Sequence, residues 1–330
     1  MPKRSSNKHM PWLEELCGKK ECHCDKPPLD RTLRAHAYSL AWLAERVDGF
    51  DANELKVPDP EVILSYLDDA KVSNGRKSSS YSAMKVWHRC HDQQDKRNQY
   101  SSHLLRCHRC RNGEEAKQKR NKREAKNWVD YKDFAKMRKI LCSRVCECAK
   151  QKKSMWSKQE FTDANMAFIL EYYNKYPIRN ELHSVRYGNK EWGPNDNFLD
   201  TENQEIVFRD FKTKKALGEQ RHKLSRKMWR LWRYIARQHK ELNLDDDHMI
   251  IGRQWHGLSA CGFASYFDRE LKQFECCKGK RVTPMIHRKS HITHRLRKQM
   301  PMAEHNDYAK KCLHSTAQNH KYRKRDLQDL

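Results

Sequence analysis

The chain of 330 residues carries 68 Lys and Arg against 43 Asp and Glu, a formal charge of +25, and is 37% hydrophobic with nine tryptophans. That length holds two domains with a core each, and the composition excludes a disordered chain. The basic excess selects a polyanionic partner, and double-stranded DNA is the expected one. No apolar run approaches the ~20 residues that span a bilayer, so no membrane partner is expected. No apolar segment follows the charged opening MPKRSSNKHM. An intracellular protein is expected, nuclear if the host is eukaryotic, with its 13 cysteines reduced or metal-bound.

Residues 1–29 read as a Cys-rich extension with little periodicity, closed by Pro27 and Pro28. From Asp30 a helical pattern places Leu33, Ala37, Leu40, Ala41 and Val47 on one face. Asp59 and Pro60 are N-cap and first residue of a second helix with Ile63, Tyr66 and Leu67 inward. The stretch KVSNGRKSSS, residues 71–80, reads as a loop. A third helix carries Tyr81, Met84, Trp87 and His88, and a fourth follows Ser101 with Leu104, Leu105 and His108. Residues 30–112 thus form an all-helical domain. A basic linker, 113–126, follows; KQKRNKREAK within it has six Lys or Arg and one Glu. It reads as a solvated helix, a strap along phosphates or an import signal.

The second domain, 127–330, opens with a helix that aligns Phe134, Met137 and Leu141. TDANMAFILEYY is a further helix, capped by Thr162 or Asp163. Between Asn197 and Ser225 short alternating segments separated by turn residues read as a small antiparallel hairpin. The fold class is therefore mainly α with a small antiparallel sheet, an α+β domain behind a helical one. RKMWRLWRYIARQHKEL is helical, and Trp229, Trp232 and Tyr234 at helical spacing read as core rather than base-stacking groups. Two cysteine clusters, Cys17/Cys22/Cys24 and Cys142/Cys146/Cys148, and the pair Cys107/Cys110 lack the paired spacing of a zinc knuckle, so reduced cysteines are expected over a structural zinc.

Four separated patches carry phosphodiester chemistry. Arg179 in YPIRNELHSV opens a short helix, where backbone N–H groups and a guanidinium fork suit an anion. Lys212 in FRDFKTKKALGEQ ends a strand before a turn, with Lys214 and Lys215 nearby. MIHRKSHITHRLRKQM is a His- and Arg-rich helix. HSTAQNHKYRKR holds His314 and Tyr322 among cations.

In that order the patches resemble the tyrosine recombinase superfamily: phage-type integrases, Xer-like resolvases, and recombinases of eukaryotic transposons and large DNA viruses. The family runs Arg, a Lys on a β-hairpin, a His/Lys-x-x-Arg box, a His or Trp, then the nucleophilic Tyr. The resemblance assigns Arg179, Lys212, Arg288, His314 and Tyr322 as catalytic residues, and residues 30–112 as the core-binding domain. HRLR fits the box literally with His294 and Arg297. Arg288, however, lies 26 residues before His314, close to the usual separation, whereas Arg297 lies only 17 before it. Arg288 is preferred, although the third residue before it is Met285 rather than His or Lys.

The resemblance implies a site-specific recombinase. Tyr322 would attack a phosphodiester to leave a 3′-phosphotyrosine and a free 5′-hydroxyl. A phenol of pKa about 10 is a weak nucleophile, so the site must stabilise its anion or take its proton. Arg179 and Arg288 would hold the non-bridging oxygens, Lys212 would protonate the leaving 5′-oxygen, and His314 would bind phosphate or orient the tyrosine. Neither cofactor, metal nor ATP is expected, and the DNA-bound form would be a homotetramer. The alternatives are a type IB topoisomerase-like enzyme and a DNA-binding relative without catalysis, with Tyr308 the next tyrosine to consider as nucleophile.

Overall fold

The computed structural model describes residues 10–18, 30–51, 54–151, 155–188, 190–296 and 300–324. They divide into two units, residues 1–117 and 118–330. The first consists of helices α1 (Met10–Gly18), α2 (Asp30–Ala44), α3 (Pro60–Asp69), α4 (Asn74–Cys90) and α5 (Gln94–Ala116). Leu33, Ala37, Leu40, Ile63, Leu67, Tyr81, Met84 and Trp87 meet in its core, so the 3.6-residue periodicity identified the inward faces. Pro60 stands at the start of α3, but the Asp59 carboxylate makes no cap and accepts instead from Lys96 at 2.8 Å.

Three sequence expectations change in this unit. Residues 71–80 are not a loop: α4 starts at Asn74, because the Ser73 side chain caps the Arg76 N–H, and Ser79 bonds back to the Gly75 carbonyl four residues earlier. Helix α1 lies within the segment read as an extension, and its Trp12 meets Trp87 edge-on at 5.2 Å. Trp12, Leu13 and Leu16 are all core residues. Helix α5 begins at Gln94, well before Ser101.

The second unit begins with α6 (Lys122–Asn127), α7 (Tyr131–Lys150) and α8 (Lys158–Lys175). Strands β1 (Val185–Arg186), β2 (Asn197–Asp200) and β3 (Glu205–Phe208) follow, then α9 (Lys214–Leu217) and β4 (Gln220–Lys223). Helices α10 (Arg226–Glu241), α11 (Ala260–Leu271), α12 (Pro284–Arg295), α13 (Met302–Lys311) and α14 (Thr316–Tyr322) complete it. The sheet order is β1-β2-β3-β4. Strands β2, β3 and β4 are antiparallel as expected, but β1 adds in parallel to β2, so the sheet is mixed.

Helix α8 is the centre of this unit. Every side chain from Phe161 to Leu170 is buried, which makes it apolar all round rather than amphipathic. Its cap is Ser157, which forms a reciprocal box with Glu160; Thr162 and Asp163 lie inside the helix. Phe134, Met137 and Leu141 of α7 and Met228, Leu231, Trp232 and Ile235 of α10 join the same core, with Trp229 and Tyr234 packed on its edge. Arg226, Arg230, Arg233, Arg237 and Lys240 form the outer face of α10.

The cysteines Cys142, Cys146 and Cys148 lie on α7, and Cys107 and Cys110 on α5. The side chains of Cys17, Cys22 and Cys24 fall outside the described residues. Among the described residues one group, Asp246, Asp247 and His248, brings three ligand-type atoms together. Its carboxylates are already engaged: Asp246 accepts from the backbone N–H groups of His248 and Gly257, and Asp247 pairs with Lys190 and Arg186.

Candidate active site

Helices α12, α13 and α14 enclose a small second core of Ile292, Leu296, Tyr308 and Cys312, against which Tyr322 packs. The route of the chain into it is set by Leu313. This residue follows the C-cap of α13 with φ +53°, in the left-handed region usually given to glycine. The turn is held because the Leu313 side chain is buried and the His314 N–H reaches the Ala309 carbonyl at 3.2 Å. Ser315 then caps α14 by accepting from the Gln318 N–H, and two turns later the helix ends on Tyr322. The motif HST thus combines a site residue with a helix cap.

Four of the five expected residues can be located relative to one another. Arg179 Nη2 donates to the Tyr322 hydroxyl at 3.2 Å. The Arg288 guanidinium lies 5.2 Å from the centre of the Tyr322 ring, and the His314 ring meets that ring edge-on at 5.4 Å. His314 directs Nδ1 to the Ser315 carbonyl at 3.0 Å, while Nε2 is buried without a hydrogen-bond partner among the described residues. Arg179 is held in turn by its own carbonyl, which accepts from the Tyr173 hydroxyl at 2.6 Å. The short helix expected after it is a 3-10 turn, Glu181–Ser184.

Arg288 has the most demanding surroundings. Its side chain is 0% exposed, one nitrogen donates to the Cys312 carbonyl at 2.8 Å, and Nε and Nη1 have no partner among the described residues. A buried guanidinium with two uncommitted nitrogens is costly unless a ligand or charge compensates. Burial lowers its pKa; the charges of Cys312, Tyr322 and Glu181 act in the opposite direction. Sequence reasoning did not single out Glu181, although it stands two residues from Arg179, because the proximity of its charge to Arg288 arises only in the fold. Met285 occupies the expected third position before Arg288 and is half-buried. His287 is buried against Phe134 and Tyr173, away from solvent, and His294 stacks on Tyr131 at 4.2 Å. Arg297 lies outside the described residues.

Lys212 is exposed on the β3–β4 connection, in the turn before α9. That turn is tied to the site: Thr213 Oγ1 donates to the Leu313 carbonyl at 2.7 Å, directly before His314. Lys214 is engaged elsewhere, on Pro194 and Asn195. Lys215 is exposed on α9. Tyr308 is a buried core residue whose hydroxyl meets His291 Nδ1 at 2.8 Å, while His291 Nε2 reaches the Asn174 carbonyl at 2.9 Å. Since Nε2 must donate to that carbonyl, Nδ1 accepts the Tyr308 proton, and burial holds the Tyr308 pKa well above its ordinary value. Tyr322 is the tyrosine beside both arginines.

No family model matches the chain, and no curated protein matches it. Among solved structures it is similar to the integrase of the transposon Tn1549 in complex with transposon right-end DNA, with a TM-score of 0.53 at 12% identity over 98% of this chain and 96% of that one. It also matches the crystal structure of XerA recombinase, with a TM-score of 0.39 at 12% identity over 97% and 94% of the two chains. The chain shares the fold of the Tn1549 integrase along nearly its whole length.

Proposed function

We propose that the chain is a tyrosine-type, site-specific DNA recombinase, a DNA strand transferase with double-stranded DNA as substrate. The observation that carries this reading is the pairing of Tyr322 with Arg179 and with a buried Arg288 whose Nε and Nη1 are uncommitted. The related Tn1549 integrase was solved with DNA, and the +25 charge of this chain suits the same polyanion.

The Tyr322 oxygen attacks a scissile phosphorus and loses its proton to solvent water. The bond from phosphorus to the 5′-oxygen breaks, and Lys212 protonates that oxygen to give a free 5′-hydroxyl. The product is a 3′-phosphotyrosine, and reversal with a different 5′-hydroxyl rejoins the strand. Arg179 and Arg288 stabilise the charge that grows on the non-bridging oxygens. His314 holds its Nδ1–H on the Ser315 carbonyl, which leaves Nε2 an acceptor, so its role is to orient the tyrosine it meets edge-on. The phosphotyrosine bond conserves the energy of the broken link, so religation proceeds without ATP. Exchange between two duplexes takes four cleavages, hence four copies of the chain in the synapse. Its place of work is with the DNA, inside the cell and in the nucleus of a eukaryotic host.

Trapping a covalent protein–DNA complex on a nicked suicide duplex tests this reading. Formation of that band followed by strand exchange supports a recombinase. Fast supercoil relaxation without exchange assigns the chain to the topoisomerase-like alternative. Tight binding with no band makes it a DNA-binding relative, the reading that Met285 in place of a His or Lys would favour.

A further inference from the structure

Helix α6 has two faces with different chemistry. Lys122, Arg123 and Lys126 point outward and are exposed, whereas Glu124 and Asn127 are buried. The outward cations line a cleft of about 650 Å³ together with Lys280 and Arg281 of the loop before α12. Asn127 shapes the opposite wall by accepting from the Arg281 N–H at 2.6 Å. The carboxylate in the cleft, Asp268, is engaged with the Val282 N–H at 2.6 Å and with Lys272 at 3.3 Å. Five cations therefore line a shallow, open surface whose carboxylate is already engaged, and one of them, Lys280, also donates to the Trp128 carbonyl at 2.9 Å. Such a surface suits closely spaced phosphates.

The inner face meets the segment that carries the nucleophile. One oxygen of Glu124 pairs with Lys289, which neighbours Arg288 in sequence and whose ammonium lies 5.8 Å from the Tyr322 ring centre. The other oxygen lies 3.4 Å from the ammonium of Lys324, two residues beyond Tyr322. The Lys324 N–H is fixed on Thr293 Oγ1 at 2.9 Å, and its ammonium also reaches the Lys119 carbonyl at 3.3 Å. Gln118 donates to the His320 carbonyl at 3.1 Å. Residues 118–124 thus grip the Tyr322 segment on both sides of the tyrosine. Burial raises the Glu124 pKa, but the two lysines and the Asn121 N–H outweigh it, so the carboxylate is held in its charged form.

We propose that the α6 cleft binds backbone phosphates of nucleic acid and that Glu124, on the other face of the same helix, is a positioning residue that seats Tyr322 through Lys324 and Lys289. Phosphate docking on one face then steadies the nucleophile on the other. The inference rests on Tyr322 being the nucleophile, but its readout does not require cleavage.

The test is amide hydrogen exchange on the full chain. Without ligand, Glu124→Gln should speed exchange in residues 316–324 by about tenfold while the α8 core stays protected. Lys324→Met, which leaves Glu124 and its capping box in place, should do the same. Unchanged exchange at 316–324 in both variants overturns the positioning role. A short mixed-sequence duplex should protect residues 122–127, 279–282 and 316–324 of the wild type. In the triple variant Lys122→Gln, Arg123→Gln, Lys126→Gln it should no longer protect residues 122–127 and 279–282. Retained protection of those two segments in the triple variant overturns the phosphate site. Protection by sodium tripolyphosphate but not by duplex assigns the cleft to a free polyphosphate and overturns the backbone assignment. A wild type that shows these shifts yet forms no covalent complex refutes the recombinase reading alone.

Discussion

Arg179 donates a hydrogen bond to the Tyr322 hydroxyl across 143 residues of sequence. The contact joins the segment that follows α8, the central helix of the second unit, to the last described helix of the chain. The Arg179 guanidinium therefore rests on the Tyr322 hydroxyl, and the two groups share one location.

Arg288 separates charge from geometry. Arg288→Lys keeps the cation but loses the planar fork. Covalent complex formation should fall by at least ~100-fold, equivalent to about 2.7 kcal/mol of transition-state stabilisation, while duplex affinity changes less than about threefold, since one phosphate contact among many is altered. Arg288→Ala should also lower stability by about 1–3 kcal/mol, because the Cys312 carbonyl loses its donor inside the protein. Urea melts and single-turnover cleavage read the two effects separately. Equal cleavage by Arg288→Lys and wild type would move the second arginine to Arg297.

Buried histidines set the acid limb of stability. Burial lowers His222 to about 3, and His239 and His291 to about 4, from 6.5. The unfolded chain therefore binds protons below about pH 6.5 that the folded chain does not, so stability must rise with pH through the window from about 4 to 6.5. Each histidine contributes a slope of up to about 1.4 kcal/mol per pH unit. Urea midpoints at pH 5 and pH 7 check this: the pH 5 value should be clearly lower, and His291→Asn should reduce the difference.

Much of this architecture can be read from the residues. The faces of α2, α7 and α10 follow from apolar spacing alone, because burial and the helical period coincide there. The start of α4 does not, since Gly75 and the serines after it have the composition of a loop; the signal was the cap Ser73. The start of α8 was available as Ser157 with Glu160 three residues on, a capping box overlooked in favour of residues deeper in the helix. Order along the chain singled out Arg179, Arg288, His314 and Tyr322, which the fold brings together, and Lys212, which stands exposed in a neighbouring turn. It did not single out Glu124. The partners of Glu124, Lys289 and Lys324, lie 165 and 200 residues away, and its local signature, a capping box with Asn121, marks a helix start rather than a tie to Tyr322.

Salt dependence measures the phosphate contacts as a whole. A chain of charge +25 that neutralises several phosphates should show a log–log slope of affinity on salt steeper than about −3, by release of condensed counterions. Titration of a fluorescent duplex at several salt concentrations gives the slope. A shallower dependence would mean that few of these cations reach the backbone.

The most direct measurement compares wild type with Tyr322→Phe on a labelled, nicked duplex resolved on a denaturing gel. Removing the hydroxyl leaves the ring against Arg288 and His314 and sacrifices only the bond from Arg179, about 1 kcal/mol, so folding and duplex affinity should persist. Wild type should give a slow-migrating covalent band, undiminished by EDTA because the arginines supply the positive charge, and Tyr322→Phe should give none. A covalent band from Tyr322→Phe would contradict the assignment of the nucleophile, and no band from wild type would contradict strand transfer itself.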